Sequence, residues 1–375
     1  MWKSSFPDWI EIAHGLHTSD KATQLALLSF GLFAAGESQS AVQSYCYALR
    51  KLQASLCVPR KAQGDSTLAT CQLLGLFEVF HGADDDKISQ GFKWHSHLNG
   101  LLAVIHTRKP SGYQSGASHQ LFVEGRYPLL ISALKNRQHF PLNSPEWRTI
   151  PWKKEPKSFL DKLYDVLADM CDILADTDEM RRCDDPATKT IRHGEVVDAY
   201  QRADESLRDW FIEASPLTIF HDCEGTLIDP TGPSDMLLAH MTLLYWSLCF
   251  ILYSTFISIY EPPLLDIPTN INPLPYLQRV ARALPYFWRP GAGMCGANLA
   301  APIWGMCLHI AYATSDRYPE EIRDLERISL QPNVANSILP FLQSLQRSSV
   351  GLEMAGLEGR EGTILRAQRW IMGQL

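Results

Sequence analysis

The feature that most constrains the fold is an apolar run over residues 236–260, "MLLAHMTLLYWSLCFILYSTFISIY". Apart from His240 it contains no acidic or basic side chain. A helix of this length could span a bilayer, but Asp235 and Glu261 flank the run and no nearby Lys or Arg sets an orientation. A helix that is apolar on every side also suits the centre of a large helical protein. We therefore expect a buried core helix and no membrane span.

Helical periodicity marks nearly every other long segment. No pair of alternating polar and apolar runs indicates a sheet, and no glycine-rich phosphate loop follows a predicted strand. The predicted helices cover residues 20–34, 38–56, 65–80, 89–108, 117–140 (as one or two helices), 157–177, 194–214, 236–260, 276–288, 297–315, 333–347 and 363–373. The sequence thus predicts an all-α fold, a large helical bundle of about ten or more helices.

Segments rich in proline or glycine interrupt this pattern near residues 141–157, 215–234 and 261–275, and we expect irregular connections there. The first contains Trp147 and Trp152, and the last contains several aliphatic residues. Such side chains favour burial, which flexible linkers do not provide. We therefore expect residues 1–375 to form a single helical domain.

Composition excludes several classes of function. The net charge is −7 at pH 7, and no dense run of Lys and Arg provides the basic surface that nucleic-acid binding needs. The nine cysteines include no C-x-x-C pair, which indicates a reducing compartment. The N-terminus lacks the apolar core of a signal peptide. We expect an intracellular protein, in the cytoplasm or the nucleus, that does not contact nucleic acid directly.

One acidic residue, Glu78, stands inside the apolar helix predicted over residues 65–80. A buried carboxylate needs a partner or a raised pKa, and Arg126 is a plausible partner. In the next helix, Trp94 and His97 share a face, because residues three apart stack on a helix. We favour a structural ion pair and a core histidine. The alternative is a pocket in which Glu78 or His97 acts as a general acid or base.

Aromatic residues in the second half of the chain add further candidates for a binding pocket, namely Tyr245, Trp246, Trp304 and His309. Most aromatic residues of a globular protein belong to its core. If the helices enclose a cavity, these residues, with Glu78, Trp94, His97 and Arg126, would line an apolar site with few polar groups. Such a site suits a small apolar molecule, terpenoid-like or polyketide-like, better than a phosphate or a sugar.

No metal or other cofactor is expected. His95 and His97 are two residues apart and therefore point to different faces of a helix. The acidic run at residues 83–89 lacks the spaced ligands of a calcium loop. The segment "FHDCE" at residues 220–224 has no accompanying oxyanion-hole signal, so we read it as a polar loop.

Four stretches, in this order and spacing, resemble a known family: "YALRKLQASL" (47–56), "DSTLATCQLLGLFEVF" (65–80), "WHSHLNGLLAVIHTR" (94–108) and "LFVEGRYPLLISALKNRQHFPLNSPEWRTIPW" (121–152). The family is the regulatory, or middle homology, domain of fungal binuclear zinc-cluster transcription factors, in the subgroup of the fungal-specific transcription factor domain type 2. The similarity extends over residues 8–315 or so. It implies an all-helical regulatory domain and provides no catalytic residues to carry over.

In that family the helical domain follows a module in which six cysteines hold two zinc ions. This sequence contains no counterpart of that module and begins almost where the helical domain begins. Zinc-mediated DNA contact therefore cannot be assigned to any position, and we expect regulation through a partner, a ligand or a new activity.

Two hypotheses remain. In the first, the chain is a regulatory-type domain without its own DNA-binding module. It binds a small apolar molecule, a partner regulator or both in fungal secondary metabolism, and it could also form a homodimer. In the second, the same scaffold is a cofactor-independent enzyme that cyclises an apolar polyene, for example by a Diels–Alder reaction. Shape and one or two hydrogen-bond donors, among them His97, Arg126, Tyr245 or Trp304, would then promote the reaction.

Overall fold

A computed structural model describes residues 8–81, 87–214, 233–259, 271–289, 292–313 and 317–330, and five residues between 339 and 345. Within this part of the chain the structure consists of helices and contains no strand, which confirms the predicted all-α class. The α-helices are α1 (Asp8–Leu16), α2 (Lys21–Ala34), α3 (Ser38–Leu56), α4 (Pro59–Ala62), α5 (Asp65–Phe80), α6 (Lys87–Arg108), α7 (Gly116–Asn136), α8 (Pro145–Thr149), α9 (Phe159–Arg182), α10 (Pro186–Ala214), α11 (Pro233–Ser258), α12 (Leu274–Phe287), α13 (Gly293–Ala313) and α14 (Pro319–Ile328).

The chain divides into two compact units. Unit 1 contains Met1–Ser132, Ser144–Pro156 and Asn336–Leu357. Unit 2 contains Ala133–Asn143, Lys157–Ala335 and Glu358–Leu375. That residues 1–375 form a single domain stays a prediction.

Helix α5 is the central element of unit 1. Twelve of its residues are buried, on every side of the helix, and it packs against α2, α3 and α6. Because its sequence is apolar around the whole circumference, it can be stable only when other helices surround it. Buried hydroxyls also join it to α2, since Thr23 Oγ1 lies 3.0 Å from Thr70 Oγ1.

Helix α11 has the corresponding position in unit 2, where it packs against α9, α10, α12 and α13. Among the described residues it is the one helix that is long and apolar enough to cross a membrane, over Asp235–Ser258. Most of that stretch is buried within the protein, including His240. The burial is that of a core helix, as the sequence analysis expected.

The transition into unit 2 shows how a polar side chain stabilises an unfavourable backbone. Arg137 follows the end of α7 with φ 51°, in the left-handed region. Its guanidinium donates to Asp178 of α9 through Nε at 2.5 Å and Nη2 at 2.8 Å. Such a two-point charge-assisted contact offsets the cost of about 1–2 kcal/mol for a non-glycine residue in this conformation.

Two predicted helices, residues 38–56 and 65–80, have the observed bounds of α3 and α5. The segment at residues 141–157 is less irregular than predicted. It contains α8 and a 3₁₀ turn over Ile150–Trp152, and each begins with a proline in its first turn, where proline favours a helix.

Several other predictions fall outside the described residues. The connections at residues 215–234 and 261–275 are described only at 233–234 and at 271–275. The helix at residues 333–347 is described at five residues, and the helix at 363–373 lies outside the described part entirely.

A close approach between α5 and α7 provides a test of the packing in unit 1. Gln72 Nε2 donates to the Leu121 carbonyl at 2.6 Å, and a Cβ added at Gly125 would lie 2.7 Å from this nitrogen. We expect Gly125→Ala to lower the free energy of unfolding by about 1–3 kcal/mol, because the methyl group displaces the Gln72 amide from its partner.

Urea unfolding checks this expectation, and Gly31→Ala is the matched control. Nothing lies within 4 Å of a Cβ added at Gly31 of α2. That substitution should leave stability unchanged or raise it by up to about 1 kcal/mol. If the two variants were equally stable, the close approach would not constrain position 125.

Candidate functional site

The carboxylate of Glu78 is completely buried in α5. The hydroxyl of Tyr45, which comes from α3, donates a hydrogen bond to Glu78 Oε1 at 2.5 Å. Gln90 of α6 is also close, since its side-chain amide donates to the backbone carbonyl of Glu78. The buried acid that the sequence indicated therefore has a phenol as its hydrogen-bond donor.

The Tyr45 hydroxyl also contacts His97 of α6. The distance from the phenol oxygen to His97 Nε2 is 2.8 Å. A phenol has one proton to donate, and because Tyr45 donates it to Glu78, its oxygen must accept from His97. This assigns the proton of the neutral imidazole to Nε2. Tyr45, Glu78 and His97, here called the Tyr45 network, thus join three helices through one phenol.

His97 is held in its neutral form. Burial, together with the smaller effect of the positive charge of Lys93, lowers its pKa from 6.5 to about 4. At neutral pH the imidazole is therefore uncharged, and its weak basicity makes it a poor general base. This arrangement favours positioning and hydrogen bonding over proton abstraction.

Aromatic side chains surround the network. The ring of Phe77 stacks on the ring of Tyr45, with centroids 4.9 Å apart. The ring of Phe77 also stacks on the ring of His81, with centroids 5.1 Å apart. Phe30 and Phe33 of α2 meet Phe77 edge-on. The phenol of Tyr45 is thus packed against apolar surface, which strengthens the hydrogen bonds that it forms.

The other two predicted residues of unit 1, Trp94 and Arg126, each contact an aromatic ring. Trp94 is buried and meets Phe341 edge-on at 5.5 Å. The Arg126 guanidinium lies over the ring of Trp152 at 5.3 Å. Tyr45, which donates to the Glu78 carboxylate, is not among the residues that the sequence pattern singled out, and the pairing of Glu78 with Arg126 stays a prediction.

The sequence pattern of α3 indicates that Tyr45 is buried. The buried residues of α3 are Ala41, Ser44, Tyr45, Ala48 and Leu52, which recur at steps of three and four. The helical pattern therefore placed Tyr45 on the inner face. Its hydroxyl then required a partner, since a buried phenol seldom lacks one.

The other four predicted residues lie in unit 2. Tyr245 stacks on Trp210 at 5.2 Å, and the Arg279 guanidinium lies 5.9 Å from the centroid of Trp246. The indole N–H of Trp304 donates to the Leu325 carbonyl at 2.9 Å. His309 is exposed. Glu78, Trp94, His97 and Arg126 belong to unit 1, so the single pocket formed by all eight residues stays a prediction.

Unit 2 contains a second polar cluster that the sequence analysis did not select. Tyr253 donates to Asp204 Oδ1 at 2.6 Å, and Arg208 Nη2 lies 2.6 Å from Asp204 Oδ2. Burial is the main cause that raises the pKa of Tyr276, whose ring lies 5.6 Å from that of Tyr253. The phenol of Tyr253 and the guanidinium of Arg208 both engage Asp204, and the ring of Tyr276 packs against Tyr253, so the cluster joins α10, α11 and α12.

Metal and thiol chemistry find little support in the described residues. Within them, no group of three or more His, Cys, Asp or Glu side chains is arranged to hold a metal ion. Burial raises the pKa of the Cys71 and Cys307 thiols to about 12, so the reactive thiolate is disfavoured at both positions.

Residues 5–150 match the family model described as "Fungal specific transcription factor domain". The match confirms the resemblance over these residues, which include the whole Tyr45 network, and it supports a regulatory role. The predicted continuation of the resemblance to residue 315 stays a prediction. No curated protein and no solved structure matches the chain.

The hydrogen bond to Glu78 should contribute strongly to stability. We expect Tyr45→Phe to lower the free energy of unfolding by about 1–3 kcal/mol, because it leaves a fully buried carboxylate without its phenol donor. Tyr47→Phe is the matched control, since Tyr47 lies on the same helix and is 54% exposed. Urea unfolding of both variants at pH 7.5 makes the comparison, and a loss of similar size in both would contradict the role of Tyr45.

The lowered pKa of His97 predicts a dependence of stability on pH. Between pH 6.5 and about 4 the unfolded chain binds a proton that folded His97 does not. Stability should therefore decrease as the pH falls through this window, and the contribution of His97 should be lower by about 2 kcal/mol at pH 5 than at pH 7.5.

The variant His97→Gln should remove this contribution and flatten the pH dependence of urea unfolding. His240, whose pKa burial lowers to about 3, contributes equally to both proteins and cancels from the comparison. Identical slopes for wild type and variant would show that His97 does not have a lowered pKa in the folded protein.

Proposed function

We propose that the chain is a regulatory protein that binds a small apolar molecule, a partner regulator or both, in fungal secondary metabolism. The observation that carries this proposal is the match of residues 5–150 to a fungal-specific transcription factor domain. The match is in keeping with a location in the nucleus or the cytoplasm. Because the net charge is −7, the proposal assigns contact with DNA to the partner.

The chemistry of the Tyr45 network supports binding over catalysis. With a pKa of about 4, His97 is a weak base at neutral pH, whereas a general base works best when its pKa lies near the working pH. Its Nε2 proton already engages Tyr45. A ligand could still use this network as a fixed hydrogen-bonding surface.

His97 is the partly exposed end of the network, whereas Tyr45 and Glu78 are buried. With the proton on Nε2, Nδ1 is an acceptor, and no described residue donates to it. A hydroxyl or amide of a bound molecule could donate to Nδ1 while apolar side chains surround its remainder. This complementarity favours a mostly apolar ligand with one hydrogen-bond donor.

The alternative, an enzyme that cyclises a polyene, requires donors that are available to a substrate carbonyl. Trp304 donates its N–H to Leu325 within unit 2. The Nε2 proton of His97 likewise engages Tyr45. Since these two donors already have partners inside the protein, we favour the regulatory function.

Deletion of the gene, followed by transcript and metabolite profiling, tests the proposal. We expect transcripts of a set of biosynthetic genes to change, because the protein acts on their regulation. Wild-type protein and Tyr47→Phe should restore these transcripts, whereas Tyr45→Phe at the same protein level should not. Loss of one metabolite with unchanged transcripts would contradict the proposal and favour the enzyme.

A further inference from the structure

Positive charge is concentrated where α3 ends and α4 begins. Four exposed basic residues lie close together in the sequence there, namely Arg50, Lys51, Arg60 and Lys61. Residues 38–64, which include both helices, contain no Asp or Glu, although the whole chain has a net charge of −7. The four cations therefore form a basic patch on an acidic protein.

The local structure does not account for these charges. The described residues provide no ion-pair partner for any of the four, whereas Arg108 of the same unit pairs with Asp65 at 2.7 Å. Basic side chains also stabilise the last turn of a helix through its dipole, but the last turn of α3 contains none. Helix α4 has 4 residues, too few to build up a substantial dipole.

Two aliphatic side chains are exposed beside the cations. Leu56 is the last residue of α3 and is 43% exposed, and Val58, the N-cap of α4, is 44% exposed. Helix α4 packs against α3, so the basic and aliphatic residues lie around one bend of the chain. We call this surface the α3–α4 corner, and it consists of Arg50, Lys51, Leu56, Val58, Arg60 and Lys61.

We propose that the α3–α4 corner is a docking site for an acidic amphipathic segment of a partner protein, one that carries Asp or Glu beside Leu or Phe. The carboxylates of such a segment pair with the four cations, and its apolar side chains cover Leu56 and Val58. The inference rests on the proposed function in identifying this partner as a regulator, and it adds the surface and the chemistry by which the partner is recognised.

The combination of cations with aliphatic side chains favours a protein segment over other anionic partners. Duplex DNA offers phosphates to the cations but nothing complementary to Leu56 and Val58, and four cations neutralise few phosphates. Insertion into a membrane needs a broad apolar face, and the apolar face of α3 is buried within unit 1. A second copy docked through the same corner would bring like charges together.

A designed peptide provides the first measurement. The probe is a fluorescein-labelled peptide in which Asp and Glu alternate with Leu and Phe, and the reference peptide has Lys in place of each acid. By fluorescence anisotropy we expect the wild-type chain to bind the acidic peptide at least about tenfold more tightly than the basic one, against its own net negative charge. Raising the salt concentration from about 50 mM to about 300 mM should weaken this binding, because the pairing charges are exposed.

Charge reversal tests the location of the site. We expect a chain with the four substitutions Arg50→Glu, Lys51→Glu, Arg60→Glu and Lys61→Glu to lose the acidic peptide and to bind the basic one. The control chain reverses four exposed cations elsewhere, Lys153→Glu, Lys154→Glu, Lys189→Glu and Arg202→Glu. Because both chains have the same net charge, retention of the acidic peptide by the control separates the corner from the overall field.

A milder pair of substitutions tests the aliphatic contribution and does not depend on the folding of the charge-reversed chain. Leu56→Ser with Val58→Ser should weaken binding of the acidic peptide at least about fivefold, while the salt dependence persists because the cations remain. The matched control is Ile191→Ser with Ile212→Ser, which changes two aliphatic residues of α10 that are 64% and 73% exposed.

The proposal is overturned if the wild-type chain does not bind the acidic peptide, or if the two charge-reversed chains lose it equally. Tighter binding of phosphatidylserine vesicles or of duplex DNA through the same four cations would also overturn it. Failure of the proposed function is seen separately, as unchanged transcripts in the deletion strain, and does not alter the peptide measurements.

Discussion

The structure depends on two helices that are apolar on almost every side, α5 and α11, and that other helices must surround. For α5 this requirement has a consequence, because its inner surface includes the carboxylate of Glu78. An ionised carboxylate cannot be buried without a hydrogen-bond partner unless it loses its charge. Tyr45 provides that partner, and its phenol oxygen also engages His97. The burial of α5 and the hydrogen bonds of the Tyr45 network therefore depend on each other.

The same arrangement bears on function. A network whose members satisfy one another holds its geometry and resists proton transfer, and the low pKa of His97 adds to that resistance. This suits a protein that recognises a molecule or a partner. It agrees with the match of residues 5–150 to a fungal-specific transcription factor domain, in which a regulatory role needs no catalytic group.

Sequence periodicity predicted α3 and α5 with their observed bounds, because helix formation and burial follow local steps of three and four residues. It placed Glu78 and His97 on buried or partly buried faces, and the pairing of Glu78 with Arg126 stays a prediction. It did not select Tyr45, which donates to Glu78 and lies 33 residues from it in the sequence. Likewise His309 is exposed although Trp304 is buried, since a step of five residues turns to another face of the helix.

By itself, the sequence determined that this chain forms buried, apolar helices, that a carboxylate lies inside one of them, and that its first part resembles a regulatory domain. These properties depend on local pattern and composition. Only the tertiary structure decided which side chain satisfies Glu78, which nitrogen of His97 carries the proton, and which segment covers Trp94. Those contacts depend on how helices that are distant in the sequence pack against one another. Helical periodicity specifies which face of its helix a residue occupies, but it does not specify which residue of another helix contacts it.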